Sequence, residues 1–158
     1  MMMNTTLRVI GTVRPFAEGF RVTIDKDYAP GLKGLSDFSH AIVVWLAHET
    51  DTDGSQHALS FPSPYTASEE AVGVFATRSP QRPNPVCFSI VHLLSVDETK
   101  GVITTPFIDT LPDTPVIDIK PYFPASDLVK SASIPRHFGH WPSCYEDSAS
   151  FDWDAEFR

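Results

Sequence analysis

The apolar positions of this chain fall in short, β-branched runs broken by Gly, Pro and charged residues, without the spacing of long amphipathic helices. Residues 7–13 and 20–25 read as two strands of a hairpin turned around residues 14–19. Residues 41–47, Ala-Ile-Val-Val-Trp-Leu-Ala, are a continuous apolar run; periodicity alone does not separate it from buried helix, and its β-branched content favours strand. Further strands are predicted over 73–77, 86–96, 102–108 and 116–123. Within 86–96 both alternating sides are largely apolar, the pattern of a strand covered on both faces. Residues 29–39 and 97–101 read as turns. Residues 49–68, polar and broken by Pro62 and Pro64, read as a long surface loop where disorder is first expected. Many short strands without a long helical pattern predict a mainly β protein, an antiparallel barrel or sandwich.

The end of the chain changes character. Residues 128–133 are expected to be a short helix or an irregular segment, and the acidic remainder still carries Phe138, Trp141, Trp153 and Phe157. Disordered acidic tails contain few aromatics, so this one is expected to pack on the body of the protein or on a neighbouring subunit. The domain division that follows is a β unit over 1–127 and an extension over 128–158.

At 158 residues the chain is one domain by size, with ordinary apolar (42%) and charged (20%) fractions. No apolar run approaches the ~18 residues of a membrane span, and Met-Met-Met-Asn-Thr-Thr does not read as a signal peptide. A cytoplasmic protein without membrane partners is expected, and its two cysteines, Cys87 and Cys144, make no disulfide framework. The net charge of −8 weakens nucleic acid as a partner, because phosphate binders usually show a basic surplus.

Candidate chemistry concentrates in residues 73–85, Gly-Val-Phe-Ala-Thr-Arg-Ser-Pro-Gln-Arg-Pro-Asn-Pro. Pro80, Pro83 and Pro85 each fix φ and push the preceding residue towards extended geometry. A stiff loop presenting Arg78, Arg82 and Asn84 suits a carboxylate, phosphate or polar ring, although a Pro-rich turn with solvated arginines has the same composition. His137, His140 and Cys144 have a spacing compatible with three metal ligands, but no fourth is evident, and no metal is assigned.

This block, with Gly-Leu-Lys-Gly-Leu-Ser-Asp-Phe-Ser-His at 31–40 and Asp-Thr-Pro-Val-Ile-Asp-Ile-Lys-Pro-Tyr at 113–122, resembles the TsaA-like (TrmO-like) family over residues 7–127. The resemblance implies a small antiparallel β-barrel, usually a homodimer, that transfers a methyl group from S-adenosylmethionine. The family's default acceptor is threonylcarbamoyl-modified adenosine in tRNA; a small-molecule acceptor and a non-catalytic S-adenosylmethionine-binding regulatory module are the alternatives. Carried over by position, the cofactor-binding residues are His48, Glu49, Arg78, Phe88, Phe107, Ile108 and Asp109. Arg78 would clasp the methionine carboxylate, Phe88 would pack on adenine, and Glu49 or Asp109 would take the ribose hydroxyls or offset the sulfonium. Asp118, Lys120, Tyr122 and Asn84 are expected near the acceptor as catalytic residues, although Asp118 and Lys120 would also suit a structural ion pair. The resemblance departs at residues 14–19, which replace a longer Pro-Arg-Gln-Pro-like loop.

Overall fold

Ala17 and Glu18 turn the chain between β1 (Gly11–Phe16) and β2 (Gly19–Ile24), so the predicted hairpin forms with a tighter turn than expected. Gly19 sits at φ +135°, and a Cβ there would lie 2.4 Å from the Thr105 carbonyl oxygen, so both conformation and space demand glycine. The computed structural model describes residues 6–50, 54, 57 and 59–158. Most of the N-terminal segment read for a signal, and residues 51–53, 55, 56 and 58 of the expected long loop, lie outside the described residues.

The remaining strands are β3 (His40–Leu46), β4 (Ser60–Phe61), β5 (Val72–Gly73), β6 (Val86–His92), β7 (Ser95–Asp97), β8 (Val102–Thr105) and β9 (Thr114–Pro121). Seven of them form one antiparallel sheet in the order β6-β3-β9-β1-β2-β8-β7, and β4 pairs with β5 separately. The mainly β antiparallel expectation holds.

The closed barrel does not form as a continuous hydrogen-bonded ring. No ladder joins the two end strands, β6 and β7, among the described residues. Yet only Leu93 and Leu94 separate these strands in sequence. A flat sheet of seven strands would hold its edges about 29 Å apart, whereas the chain from His92 to Ser95 reaches about 11 Å at most. The sheet therefore curls until its ends nearly meet. Leu93 donates its N–H to the Ser39 carbonyl (2.8 Å) and Leu94 to that of Thr104 (2.9 Å), so the chain leaves one end of the sheet and joins the other. This change of partner splits the strand predicted over 86–96 in two.

Other boundaries shift for local reasons. Pro106 has no N–H, and β8 stops at Thr105 instead of continuing to 108. Val74–Ala76 form a single 3-10 turn in place of a strand over 73–77; the Thr77 amide and hydroxyl both donate to the Val74 carbonyl. Of the two alternatives for 128–133 the irregular segment forms, and the helical turn nearby is α1 (Pro124–Asp127), with Pro124 preset for a first helical position.

Alternation places Val13, Val22, Ile24, Ala41, Val43, Val91, Ile103 and Val116 inside the curl. β6 lies at an edge and is not covered on both faces: Val91 is fully buried, whereas Phe88 is 47% exposed. The tail, which includes α2 (Tyr145–Ser148), docks on residues 63–66. Arg158 donates its N–H to the Pro64 carbonyl (2.9 Å) and Thr66 to that of Glu156 (2.9 Å). Tyr65, Phe138, Trp141 and Phe157 pack ring against ring there. The Glu156 carboxylate, 11% exposed, accepts from the Trp141 indole (2.7 Å) and contacts His140 Nε2 (2.9 Å).

Candidate active site

Where β3 ends and β6 begins, the chain builds a cleft of about 390 Å³. Its apolar walls include Trp45 and Phe88. A β-bulge shapes this end: Val44 faces Asp118 and Trp45 faces Val116, leaving Ile117 as the extra residue on β9. The Trp45 indole N–H donates to Ser89 Oγ across the strand pair at 3.1 Å, which fixes the ring in the wall.

The arginine loop forms the rim. Consecutive side-chain turns shape it, with Thr77 Oγ1 accepting from the Ser79 amide (3.2 Å) and Ser79 Oγ from the Gln81 amide (3.2 Å). Arg82 Nη1 donates inward to the Thr77 carbonyl at 3.3 Å, so this guanidinium braces the loop as well as lining the cleft. Stiffness thus comes from Thr77, Ser79 and Arg82 in addition to the prolines. Arg78 is presented: its guanidinium carbon lies 4.9 Å from the centroid of the Phe88 ring. Thr50 Oγ1 donates to the Ala47 carbonyl (2.9 Å) and to that of Pro80 (3.4 Å), linking the segment after β3 to the loop.

Of the seven positions expected to hold the cofactor, His48, Glu49, Arg78, Phe88 and Asp109 line this cleft. Ile108 is 2% exposed in the core, and Phe107 meets Phe20 edge-on with its ring centroid 6.0 Å away; neither lines it. The four acceptor-side residues are outside it too. Lys120 borders a shallower neighbouring depression of about 290 Å³ that shares Val86, Cys87 and Phe88 with the cleft. Its ammonium lies 2.6 Å from the Asp118 carboxylate, in the ion pair that the sequence also allowed. Tyr122 packs edge-on to His40, and Asn84 is exposed in the loop. Sequence reading missed Trp45, Thr50, Cys87, Ser89, Thr110 and Thr114, all cleft-lining. Period-two alternation along β6 could have paired Cys87 with Ser89; the bulge that sets Trp45 has no such signal.

The lining carries both charge signs, with Arg78 and Arg82 against Glu49 and Asp109. Burial pushes the Cys87 thiol up, Arg82 opposes this, and Asp109 adds to it. Burial also pushes the Tyr65 phenol up, with Arg78 in opposition. The metal alternative does not assemble. His140 is held by Glu156 and Cys144 Sγ donates to Asp147, and among the described residues no three potential ligands converge.

A curled antiparallel sheet thus carries one cleft walled by Trp45 and Phe88 and lined by two arginines and two carboxylates, the concave and mixed lining of a small-molecule site. The chain belongs to the tRNA-methyltransferase O N-terminal domain family, whose model matches residues 13–128. A probable S-adenosyl-L-methionine-binding protein of Archaeoglobus fulgidus is 35% identical, over 84% of this chain and 38% of its own length. The tRNA (adenine(37)-N6)-methyltransferase of Escherichia coli is 35% identical, over 66% of this chain and 45% of its own. The crystal structure of TrmO from Pseudomonas aeruginosa superposes with a TM-score of 0.65 at 25% identity, covering 86% of this chain and 62% of that one. The chain thus spans less than half the length of these two curated relatives.

Proposed function

We propose that this protein transfers a methyl group from S-adenosylmethionine to a tRNA adenosine. The observation that carries the reading is the Arg78–Phe88 pair at the cleft rim, in a chain whose relatives are named for binding this cofactor or for methylating tRNA. The donor set fits the cofactor: a guanidinium for the carboxylate, an aromatic wall for adenine, and the carboxylates of Glu49 and Asp109 for ribose hydroxyls and the ammonium or sulfonium charge. Bound there, the cofactor supplies an electrophilic methyl group already activated by positive charge. Arg78 and Phe88, stacked on each other at the rim, orient it, and the Trp45 wall excludes water. Such alignment is worth several kcal/mol of barrier without a strong base. Of Asp118, Lys120, Tyr122 and Asn84, Lys120 is best placed to meet the acceptor, since its depression adjoins the cleft. Phe107 and Ile108 support the loop that carries Asp109.

The working form in this reading is a cytoplasmic homodimer. Among the described residues β6 is an unpaired edge, and Ile42, Val44, Val86 and Phe88 leave an apolar face beside it, which suits a second copy. Residues 1–127 form the family unit, and 128–158 an extension held on it through residues 63–66. A small-molecule acceptor is the second reading, and the net charge of −8 favours it.

Calorimetry with S-adenosylmethionine and S-adenosylhomocysteine, beside Arg78→Ala, tests the cofactor. Micromolar binding lost on substitution supports the reading, and no binding at millimolar ligand sinks it. Labelled methyl transfer to tRNA, compared with a panel of small amines and alcohols, decides the acceptor.

A further inference from the structure

The net charge of −8 is not spread evenly over the sheet. Three adjacent strands, β1, β2 and β8, contain no acidic residue, and their two charged side chains, Arg14 and Arg21, are both cationic. These stand directly opposite each other across the β1–β2 pair. Val13, Val22 and Ile103 fill the inside of the curl, so alternation turns Arg14, Arg21, Thr12, Thr23 and Thr104 outward, and both arginines are exposed. Like charges at directly opposed positions repel and weaken a strand pair. Arg21 has no carboxylate partner among the described residues, and its guanidinium carbon lies 4.4 Å from the centroid of the Phe16 ring. Arg14 Nε donates to Asp113 Oδ1 at 2.5 Å, but the two side chains are 70% and 60% exposed. An ion pair in that setting is worth less than about 1 kcal/mol, so a phosphate can take the carboxylate's place.

This cationic pair lies at the cleft's end of the sheet. The cleft opens where β3 ends and β9 begins, and Thr114, the first residue of β9, lines it and faces Val13 of β1. Arg14 and Arg21 therefore stand one and two strands away from the cleft's edge, about 5 and 10 Å along the sheet, on the outer side of the rim. We propose that Arg14 and Arg21 hold the phosphate backbone of the acceptor RNA while its target base turns into the cleft. This rests on the tRNA reading above. A base is modified after it leaves its stack, which keeps the phosphates flanking it outside the rim. Arginines beside hydroxyl side chains are the groups that fix a phosphate backbone in register, and Thr12, Thr23 and Thr104 supply the hydroxyls. A local pair of this kind also lets an acidic chain meet a polyanion, because attraction depends on the charge at the contact more than on the total.

The test measures anisotropy of a fluorescein-labelled tRNA with wild type, Arg14→Ala, Arg21→Ala and Arg21→Lys, between about 50 and 200 mM salt. Calorimetry with S-adenosylhomocysteine and thermal melting are run alongside. Each alanine variant is expected to bind tRNA about three- to tenfold more weakly at the lower salt, with the slope of log K against log salt shallower by about one. S-adenosylhomocysteine affinity and melting temperature stay near wild type, and Arg21→Lys restores the slope, since a point charge suffices for a phosphate. Unchanged tRNA affinity and slope in both alanine variants overturns the proposal and leaves the tRNA reading standing. Weaker binding with an unaltered slope also overturns it, because a lost phosphate contact releases fewer counterions. A joint fall in S-adenosylhomocysteine affinity and melting temperature would make the arginines structural and overturn it as well. Polyglutamate that displaces tRNA as well as an equal charge of unlabelled tRNA does would make the pair a general anion patch and overturn the RNA assignment. If wild type binds S-adenosylhomocysteine but no tRNA, the tRNA reading fails and this inference falls with it.

Discussion

The Arg78 guanidinium lies over the Phe88 ring, 4.9 Å from its centroid, joining the arginine loop to the exposed face of β6. The loop side chain carries the charge and the strand side chain carries the platform. Neither forms a rim alone, and their pairing places a cation against an aromatic face at the cleft mouth.

Replacing Arg78 by Ala should weaken S-adenosylhomocysteine about 10- to 100-fold, the range for losing a charge-assisted hydrogen bond. Arg78→Lys should recover only part of this, since an ammonium cannot form the bidentate pair with a carboxylate. Titration calorimetry checks both. Retention of full affinity in Arg78→Ala would show that the guanidinium does not touch the ligand.

Lys120→Ala should separate donor from acceptor. Its ion pair with Asp118 is largely exposed, so its removal should change stability by less than about 1 kcal/mol. Cofactor affinity should stay within about twofold, while methyl transfer slows. Unchanged turnover would assign the pair to structure alone.

The tail should loosen in acid. The hydrogen bond from the Trp141 indole, with those from His140, holds the Glu156 carboxyl below its ordinary value of 4.5. A lowered carboxylate pKa contributes stability that is present above the unfolded value and is lost as pH falls through the folded one. Fluorescence of Trp141 and Trp153 should therefore report undocking of residues 134–158 below about pH 4.5. Glu156→Gln should flatten that transition; an unaltered transition would place its origin elsewhere.

The centre of the curl should be unforgiving. Ile103 is fully buried, and Ile103→Ala should cost about 2–5 kcal/mol in urea unfolding. Gly19→Ala should cost a few kcal/mol by a different route, since its φ of +135° and the Thr105 carbonyl both oppose a Cβ. A loss below about 0.5 kcal/mol at either site would contradict the packing described here.

The sequence determined the local structure and the set of candidate residues. Short β-branched runs bounded by Gly, Pro and charged residues predict strands, which is why the mainly β architecture was legible, whereas the inward facing of Val43 and Val91 was not, since their runs are apolar on both alternating sides. The blocks at 73–85 and 113–122 carried the family resemblance, and five residues picked out through it, Arg78, Glu49, His48, Phe88 and Asp109, line one cleft. Only the tertiary structure decided that the strand over 86–96 divides at Leu93–Leu94, because the division follows from which distant strand offers the next backbone partner. It alone decided that Arg82 braces while Arg78 is presented, and that a bulge at Ile117 sets Trp45. Each of these depends on where groups far apart in sequence fall in space, which period, composition and spacing do not encode.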